Sequence, residues 1–348
     1  MDIERMPAVV CEMFNQNLDT SSIGSTMGIR QACDERLKGF ENNLIITPSD
    51  LAEFEGMFRE AQTRASDSPE ITRTSIRAVM QESLLPLLSD YMNGCLEATI
   101  GIEKPIDGMK GYVLAYFGAN TESRGGQRLD RSEYERRITN AEPKESETVW
   151  EKIRRVEHRF EVRPLAMDST TDSERETIAG LLNETFGYTE EQTRRILDDQ
   201  NHIVLGAVRE GSIVGLVMAE TAYVPLFSGG AWVDTLAITE ETNVVTVPEW
   251  QGKGVHTLLA ARLMAFLSQF ETDIVCSESN LSSGARIHIV RRLGGQIHGM
   301  LPQAVTIADE EKVSLAVTSM SREALGRISD NFPEWREMAT AYLRALRR

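Results

Sequence analysis

The sequence predicts an α/β (α+β) protein in which a mostly helical N-terminal domain precedes a mixed central sheet flanked by helices. Two observations support this fold class. The chain has 348 residues, which is enough for two domains that each bury a core. Up to about residue 155 the apolar residues recur at helical spacing, whereas from about residue 160 short β-branched runs alternate with helical patterns.

This change of pattern divides the chain into three segments. Residues 1–155 form a mostly helical domain of unknown role, residues 156–325 the domain with the sheet, and residues 326–348 a C-terminal helix. Residues 118–150, at the end of the first domain, are poor in large apolar side chains and rich in Gly, Arg and Glu. That composition is typical of a linker.

Two helical segments are predicted in the first domain. Residues 47–50 are a helix start signal and lead into an apolar stripe that includes Phe54 and Phe58. A second helical segment runs over residues 71–91, with a kink or break at Pro86. Both stripes are typical of core-facing helices, so this half gives no indication of function.

The second domain is predicted to alternate strands and helices. Its elements, in chain order, are a strand at 160–165, helices at 173–186 and 190–197, a hairpin of strands at 202–208 and 212–219, a strand at 238–247, a helix at 255–270, a strand at 274–277, a helix at 283–293, strands at 296–307 and 313–318, and a helix at 334–347. Residues 220–238 are predicted to be a long connection. Because long loops in compact domains are often functional, we assign them to the substrate site.

Charge and hydropathy exclude several classes of protein. The chain carries 53 acidic against 37 basic residues, a net charge of −16. This surplus disfavours general binding to nucleic acid or to anionic membranes and favours a cationic substrate. The amino terminus is charged, and no apolar run approaches the ~20 residues that span a bilayer. We therefore expect a cytoplasmic protein.

Cysteine and histidine spacings indicate neither a metal centre nor a disulfide framework. The four cysteines lack a Cys-x-x-Cys spacing, and the five histidines lack the His-x-His or His-x-x-x-His spacing of a metal site. The Gly-x-Ser-x-Gly turn of a serine hydrolase is missing as well. We predict no metal and expect buried free thiols.

The stretch from Thr246 to Leu259 carries the strongest functional signal. A strand stops at Pro248, Gly252 and Gly254 let the backbone turn closely, and a helix begins at Val255. Unpaired amides at such a turn, with the positive end of the helix dipole, suit a diphosphate. The loop lacks the Gly-Lys-Ser/Thr ending of a Walker loop and the third glycine of a Rossmann fingerprint, so neither of those sites is predicted.

This loop resembles the Arg/Gln-x-x-Gly-x-Gly/Ala signature of the GNAT superfamily of acyl-CoA-dependent N-acetyltransferases. Gln251, Gly254 and, imperfectly, His256 stand at the signature positions. Downstream, the Ser-Glu-Ser-Asn run that ends at Asn280 and the Arg-Arg-Leu-Gly-Gly run at 291–295 resemble a strand and a helix end of that family. The resemblance covers about residues 160–320, and it implies a GNAT-like sheet with acetyl-CoA as the acyl donor.

The resemblance also implies which residues hold acetyl-CoA. Loop amides would bind the diphosphate, the splayed strand before them would pair with the pantetheine arm, and an Asn would contact the cofactor. Carried over to this chain, these residues are Val245, Thr246, Val247, Gln251, Gly252, Lys253, Gly254, Val255, His256, Thr257 and Asn280. Arg286, Arg291 and Arg292 are candidates for the 3′-phosphate, with a solvated helix face as the alternative.

Direct acetyl transfer requires a base that takes a proton from the amine. Members of the resembled family often carry Glu or His eleven positions before the signature Gln or Arg, and Glu240 stands there in this chain. Thr242 would share its face of the strand. Glu241 would face the opposite way, unless a bulge exchanges the two carboxylates.

The acid that protonates the departing thiolate is not evident. Val290 stands where the resembled family usually has a Tyr. His288, Ser282, Ser283, Tyr223 or water could substitute for it, and we include His288 among the candidate catalytic residues.

The sequence thus predicts an N-acetyltransferase that moves acetyl from acetyl-CoA to a primary amine. Residues 240–248 are similar to the β-lysine N-acetyltransferase branch, which implies a small amino-acid or polyamine acceptor. One alternative is a catalytically weakened acyl-CoA-binding module, favoured by Val290 and His256. Another is a protein acetyltransferase whose first half presents a lysine or an amino terminus. The acceptor, the acyl-chain preference and a homodimer that completes the site stay open.

Overall fold

The structure is a computed structural model that describes residues 43–46, 51–52, 54–56, 58–59, 63, 73–106, 108–120, 136, 147–165, 170–186, 188–198, 202–228, 231–281, 285–306 and 312–346. Its strands are β1 (Asn43–Ile46), β2 (Arg73–Gln81), β3 (Leu96–Ile102), β4 (Tyr112–Asn120), β5 (Glu161–Pro164), β6 (His202–Arg209), β7 (Ser212–Ser228), β8 (Ala231–Thr246), β9 (Ile274–Asn280), β10 (Gln296–Thr306) and β11 (Lys312–Met320). Its α-helices are α1 (Asp90–Cys95), α2 (Glu147–Glu157), α3 (Asp172–Phe186), α4 (Glu190–Asp198), α5 (Val255–Leu267), α6 (Ala285–Arg292), α7 (Arg322–Asp330) and α8 (Pro333–Leu346), and 3₁₀ turns lie at Glu82–Leu87 and Pro248–Trp250.

The strands form one sheet of 11, in the order β1-β2-β4-β3-β10-β11-β9-β8-β7-β6-β5. The pairs β1/β2 and β8/β9 are parallel, and the other neighbours are antiparallel. The protein therefore has a mixed α/β architecture with a large mixed sheet and helices. The sheet runs from the N-terminal strands into the second half through the pairing of β3 with β10.

The junction of the two halves depends on one glycine. Gly299 of β10 pairs with Ala98 of β3. A Cβ at Gly299 would lie 2.1 Å from the carbonyl oxygen of Glu97, so a side chain there would clash with the backbone of the neighbouring strand. The two strands can approach this closely only because Gly299 has no side chain.

The prediction of a mostly helical N-terminal domain is wrong for the residues that the structure describes. Residues 71–91 contain β2, a 3₁₀ turn and the start of α1, and β3 and β4 follow. Residues 78–80 are buried in succession because both faces of β2 are covered. A strand of this kind loses the alternation of apolar and polar residues, so its apolar run resembles a buried helix. The stripe with Phe54 and Phe58 does lie in helical turns, and both rings are buried.

The second half follows the predicted order of elements, with two corrections. Residues 220–238 are not a loop, because β7 and β8 form a long hairpin that pairs from Gly215/Thr246 to Ser228/Ala231. Pro225 is typical of a break, yet the register continues through its pairing with Thr235. The C-terminal region holds two helices, α7 and α8, instead of one.

The predicted segment boundaries fall within elements of the structure. The boundary at 155 lies inside α2 and the boundary at 325 inside α7. Of the predicted linker, residues 118–120 belong to β4 and residues 147–150 to α2, while nearly all the rest lies outside the described residues. The division of the chain into domains stays a prediction.

β8 lies at the centre of the core. On one face of the sheet the apolar helix α5 is buried under α2, α7 and α8. On the other face, α3 and α4 cover β5–β8, and the strands β2–β4 pack against β8, β9 and β11. Within the described ranges, none of the helices combines the length and the apolar composition needed to cross a membrane.

Candidate functional site

The parallel strands β8 and β9 separate in the middle of the sheet. They pair from Ile238/Ile274 to Glu241/Ser277, and then β8 continues to Thr246 and β9 to Asn280 without pairing to each other. Among the described strands, none fills the gap on that side of β8. The exposed strand edge could therefore pair with the backbone-like amides of an extended ligand.

The glycine loop and the first turn of α5 border this gap. Gly252 and Gly254 have φ angles of 71° and 87°, a region that disfavours side chains. Gly254 is the N-cap of α5, and no side-chain hydrogen bond caps the helix. The first amides of α5 are therefore left for a ligand or water, at the positive end of the helix dipole. Gln251 Nε2 donates to Thr246 O at 3.1 Å and ties the loop to the end of β8.

A cleft of about 880 Å³ lies between this loop, α2 and α6. Its basic lining residues are Lys152, Arg155, Arg159, Lys253 and Arg292, and no Asp or Glu is among the described residues that line it. The chain as a whole has a net charge of −16, so the cleft is opposite in sign to the protein. An anionic ligand is therefore electrostatically favoured in the cleft.

The cations of the cleft are not neutralised by the protein. In the described part of the chain, none of the five forms an ion pair with a carboxylate. Arg292 Nε and His288 Nδ1 are buried, and neither atom makes a hydrogen bond to any residue that the structure describes. Buried polar atoms are rarely left without a partner, which indicates a partner from ligand or solvent. These features fit a ligand that carries negative charge and accepts hydrogen bonds.

A buried ion pair lies beside the loop. Glu241 of β8 and Arg286 at the start of α6 pair with each other, and both are buried. His256 Nε2 lies 3.5 Å from Arg286 Nη1. Burial lowers the pKa of Arg286 to about 9 and that of His256 to about 4. At neutral pH the arginine is therefore charged and the imidazole neutral. Arg286 is engaged by Glu241, so it does not face the cleft as a phosphate ligand would.

Glu240 lies on the face of β8 opposite Glu241 and contacts the N-terminal half. Arg77 Nη1 of β2 donates to Glu240 Oε2 at 2.9 Å, and Arg77 Nη2 donates to Glu278 Oε1 at 2.7 Å. The side chain of Glu240 is 22% exposed and that of Glu278 is 11% exposed. With one cation between two carboxylates, this cluster carries a formal charge of about −1 at neutral pH. We call Arg77, Glu240 and Glu278 the Arg77 cluster.

Two protonated groups lie next to the Arg77 cluster. The Tyr116 hydroxyl donates to Cys276 Sγ at 3.8 Å. Burial raises the pKa of Cys276 to about 12 and raises the pKa of Tyr116 well above its usual value. Both groups therefore keep their protons at neutral pH, and Cys276 does not supply a thiolate nucleophile.

β8 has a bulge directly after the two carboxylates. Ala219 of β7 stands opposite Glu241, and Val217 stands opposite Val244, so one extra residue lies on β8. Thr242 is in this bulge, and its hydroxyl is buried without a hydrogen bond among the described residues. The bulge interrupts the alternation of side chains along β8 after Glu241. The prediction that Thr242 shares a face with Glu240 relied on that alternation, so it does not hold across the bulge. The bulge does not exchange the two carboxylates, which keep opposite faces.

The structure brings most of the predicted cofactor residues together. Those that line the cleft are Thr246, Gln251, Gly252, Lys253, Gly254, Val255, His256 and Thr257, with the predicted acid His288. Val245 and Val247 are not part of the lining, and the side chain of Val245 packs into the core under α3. Asn280 ends β9 opposite Leu315 and is also outside the lining.

The remaining predicted catalytic residues do not line the cleft. Glu240 and Glu241 are not among its lining residues. Val290 is buried in the core beside α5. Ser282, Ser283 and the side chain of Tyr223 lie outside what the structure describes. No group of three His, Cys, Asp or Glu side chains in the described ranges is arranged to hold a metal.

Two sets of residues at the site were not predicted from the sequence. The cations of α2 and of the turn after it recur at spacings of three and four residues, from Lys152 through Arg155 to Arg159, which indicates one face of a helix. The sequence does not say what that face meets. Arg77 and Glu278 are far apart in the chain, and no local pattern connects them.

Comparisons with known proteins give matches at the level of structure only. No protein-family model matches the sequence, and no curated protein matches it. The chain is similar to Arabidopsis thaliana NAA60 in complex with acetyl-CoA at 14% identity, over 46% of this chain and 97% of that chain, with a TM-score of 0.38. It is similar to an N-acetyltransferase from Staphylococcus aureus Mu50 at 14% identity, over 47% and 98% of the chains, with a TM-score of 0.36. A ribosomal-protein-alanine N-acetyltransferase from Brucella melitensis matches at 20% identity, over 46% and 98%, with a TM-score of 0.36.

Proposed function

We propose that this protein is a GNAT-type N-acetyltransferase, which transfers the acetyl group of acetyl-CoA to a primary amine. The observation that carries the proposal is the cleft at the glycine loop. It combines uncapped helix amides with unpaired cations, and no carboxylate is among its described lining residues, although the chain is strongly acidic. A diphosphate fits this lining, and the open edge of β8 offers backbone groups to an extended arm.

The residues of the cleft bind and orient the acyl donor. Acetyl-CoA supplies a thioester carbonyl that an amine can attack directly, with the CoA thiol as the leaving group. Amides from Gly252 to Thr257 hold the diphosphate, and the edge of β8 directs the arm toward the point where β8 and β9 separate. Fixing the thioester at that point converts the attack into an effectively unimolecular step.

We assign Glu240 as the general base. It stands at one of the last paired positions of β8 and β9 and is partly exposed on the side of Arg77. The net negative charge of the Arg77 cluster favours an ammonium group, which then loses a proton to Glu240 directly or through water. His288 lines the cleft and is assigned as the proton donor to the departing thiolate.

The acceptor is a cationic primary amine, and two classes meet that requirement. One is a small amino acid or polyamine, and the other is the lysine side chain or amino terminus of a protein. An assay of small amines against peptides, each with the same acetyl-CoA concentration, separates the two classes by their kcat/KM values. A preference for peptides would indicate a protein acetyltransferase.

A second candidate function is acyl-CoA binding without acetyl transfer. Val290 is buried where the resembled family usually has the tyrosine acid, and Arg77 engages the carboxylate that we assign as the base. Both observations favour a binding module whose catalytic groups are weakened. Such a protein would bind acetyl-CoA and leave every amine unmodified.

Calorimetric titration with acetyl-CoA and with free CoA tests the cofactor site. We expect micromolar binding by the wild type and a loss of at least ~100-fold in Gly254→Glu. The new side chain would have a φ of 87°, would contact Val156 and would add a negative charge to the cleft. Gln251→Glu is the matched control, because it adds the same single negative charge to the cleft lining at a φ of −62°, without the backbone strain, and it should lose less affinity.

Acetyl transfer by Glu240→Gln tests the base. We expect kcat to fall ~100-fold or more while the affinity for acetyl-CoA is unchanged, since a positioned base contributes about that factor. Failure of the folded wild type to bind acetyl-CoA would overturn the proposed function. Binding without transfer to any amine of the panel would support the second candidate.

A further inference from the structure

We propose that helix α2 recognises the 3′-phosphate of CoA and makes the cleft selective for CoA over 3′-dephospho-CoA. Lys152 and Arg155 are the residues that make the contact. The inference rests on the proposed function, because it concerns the same cleft. It assigns a cofactor-binding role to a helix whose sequence gives no such signal.

α2 is fixed to the core, so its position relative to the loop is defined. Val149 and Ile153 are buried in the apolar cluster that surrounds α5. At the C-terminal end of α2, Glu157 accepts a hydrogen bond from Arg262 of α5 at 2.9 Å. A helix held by an apolar face and an ion pair presents its remaining face to the cleft as a rigid wall.

The cleft-facing side of α2 carries unpaired positive charge. Lys152 and Arg155 line the cleft, are exposed, and form no ion pair in the described part of the chain. Arg155 Nε donates to the carbonyl oxygen of Glu151 at 3.3 Å, which leaves its two Nη groups for a ligand. A guanidinium with free Nη groups is well suited to a phosphate.

The position of α2 decides which phosphate these cations meet. A Cβ on Gly254 would lie 3.2 Å from Val156 Cγ1, so the C-terminal turn of α2 lies against the glycine loop. Arg155 is next to Val156, and Lys152 is one helical turn earlier, ~6 Å along the axis. The two cations therefore stand on the wall next to the diphosphate site and not in the loop itself.

The CoA nucleotide carries two separate anionic groups, and the cleft offers donors on two sides, the glycine loop and α2. The loop amides and the start of α5 already provide donors for the diphosphate. The nucleotide carries a second anion, the 3′-phosphate, on the ribose that is joined to the diphosphate. Two cations without an ion-pair partner among the described residues, one beside the loop and one a helical turn further along α2, complement that second anion.

The test compares the affinities of two proteins for two ligands. The proteins are the wild type and the double variant Lys152→Gln with Arg155→Gln, and the ligands are CoA and 3′-dephospho-CoA, so the four titrations form a double-mutant cycle. The matched control is Arg154→Gln, which removes an exposed cation from the same helix but outside the cleft lining. We expect the wild type and the control to bind CoA ~10- to 100-fold more tightly than the dephospho form. In the double variant this ratio should fall below ~3, through weaker CoA binding alone, and higher salt should lower the wild-type ratio.

The outcomes separate this inference from the proposed function. Equal affinity of the wild type for the two nucleotides would overturn the inference and leave the acyl donor site intact. Equal losses for both nucleotides in the double variant would also overturn it, because the cations would then contact a group that both ligands share. Failure of the folded wild type to bind either nucleotide would overturn the proposed function and the inference together.

Discussion

The two neighbouring carboxylates of β8 lie in opposite electrostatic surroundings. Glu241 is buried with Arg286 on the side of α5 and α6, next to a cleft whose lining is cationic. Glu240 faces the N-terminal strands, where it shares Arg77 with Glu278 in a cluster of net negative charge. The two carboxylates thus lie on opposite sides of the sheet, Glu241 beside the cationic lining and Glu240 beside Glu278.

This difference shows that an acidic protein can carry a cationic cleft on one side of its sheet. The net charge of −16 describes the whole chain and says little about either face of the sheet. Under the proposed function, the acyl donor would bind on the cleft side and the amine on the side of Arg77. The pairing of β8 with β9 ends at Glu241/Ser277, so the two carboxylates stand where the strands separate.

The largest expected effect is a difference in the free energy of unfolding between variants of Glu241 and of Glu240. Glu241→Gln should lower the free energy of unfolding by about 3–5 kcal/mol, because it leaves Arg286 charged, buried and unpaired. Glu240→Gln should cost less than about 1 kcal/mol, since Glu240 is partly exposed. Urea denaturation of both variants measures the difference. Similar losses in the two variants would contradict the separation of the two faces.

A smaller effect concerns the pH dependence of stability on the cleft side. The pKa of His256 is about 4 in the folded protein, below its ordinary value of 6.5, because the imidazole is buried. Between these values the unfolded chain binds more protons, so stability falls as the pH is lowered from 6.5 toward 4. His256 should account for about 2 kcal/mol of the loss between pH 7 and pH 4.5.

Urea denaturation of His256→Gln at both pH values isolates this contribution. The variant should lose less stability on acidification than the wild type does. His298, whose pKa is also lowered by burial, acts in the same direction in both proteins and cancels in the comparison. An identical pH dependence in the two proteins would show that His256 is not buried as a neutral group.

The smallest expected effect is on the affinity for the acceptor. Arg77→Gln removes the cation of the Arg77 cluster and leaves two carboxylates, so the KM for a cationic amine should fall about 3- to 10-fold at low salt. Arg77→Lys keeps the charge and is the matched control. A KM that stays the same in both variants would place the acceptor somewhere other than the Arg77 side.

The residues of the glycine loop that line the cleft are close together in sequence, whereas those around Glu240 are not. The glycine loop is local in sequence, so Gln251 to Thr257 could be located from their spacing alone, and the structure gathers them around one cleft. The partner of Glu240 could not be predicted, because Arg77 comes from a strand that pairs far from β8 in the sheet order. Contacts of this kind depend on how the sheet curves, which no local pattern encodes.

The fold shows the same limit. The hairpin of β6 and β7 was predictable because its turn and its flanking strands are contiguous in sequence. The N-terminal strands were not, since β2 and β4 are buried on both faces and lack the alternation that identifies a strand. One of those faces is covered by β8 and β9, which are distant in the chain, and the other by the helical turns around Phe54 and by the residues that follow β2.

The close contact at Gly299 has a practical consequence for anyone who produces this protein. A recombinant fragment that starts near residue 156 would lack β3, and β10 would become the edge of the sheet. It would also uncover the apolar face that includes Ile238, Cys276 and Val317. An open strand edge beside a bare apolar surface promotes intermolecular pairing and aggregation. The N-terminal strands therefore work as a permanent cover that keeps the second half from self-associating, and the full chain is the unit to express.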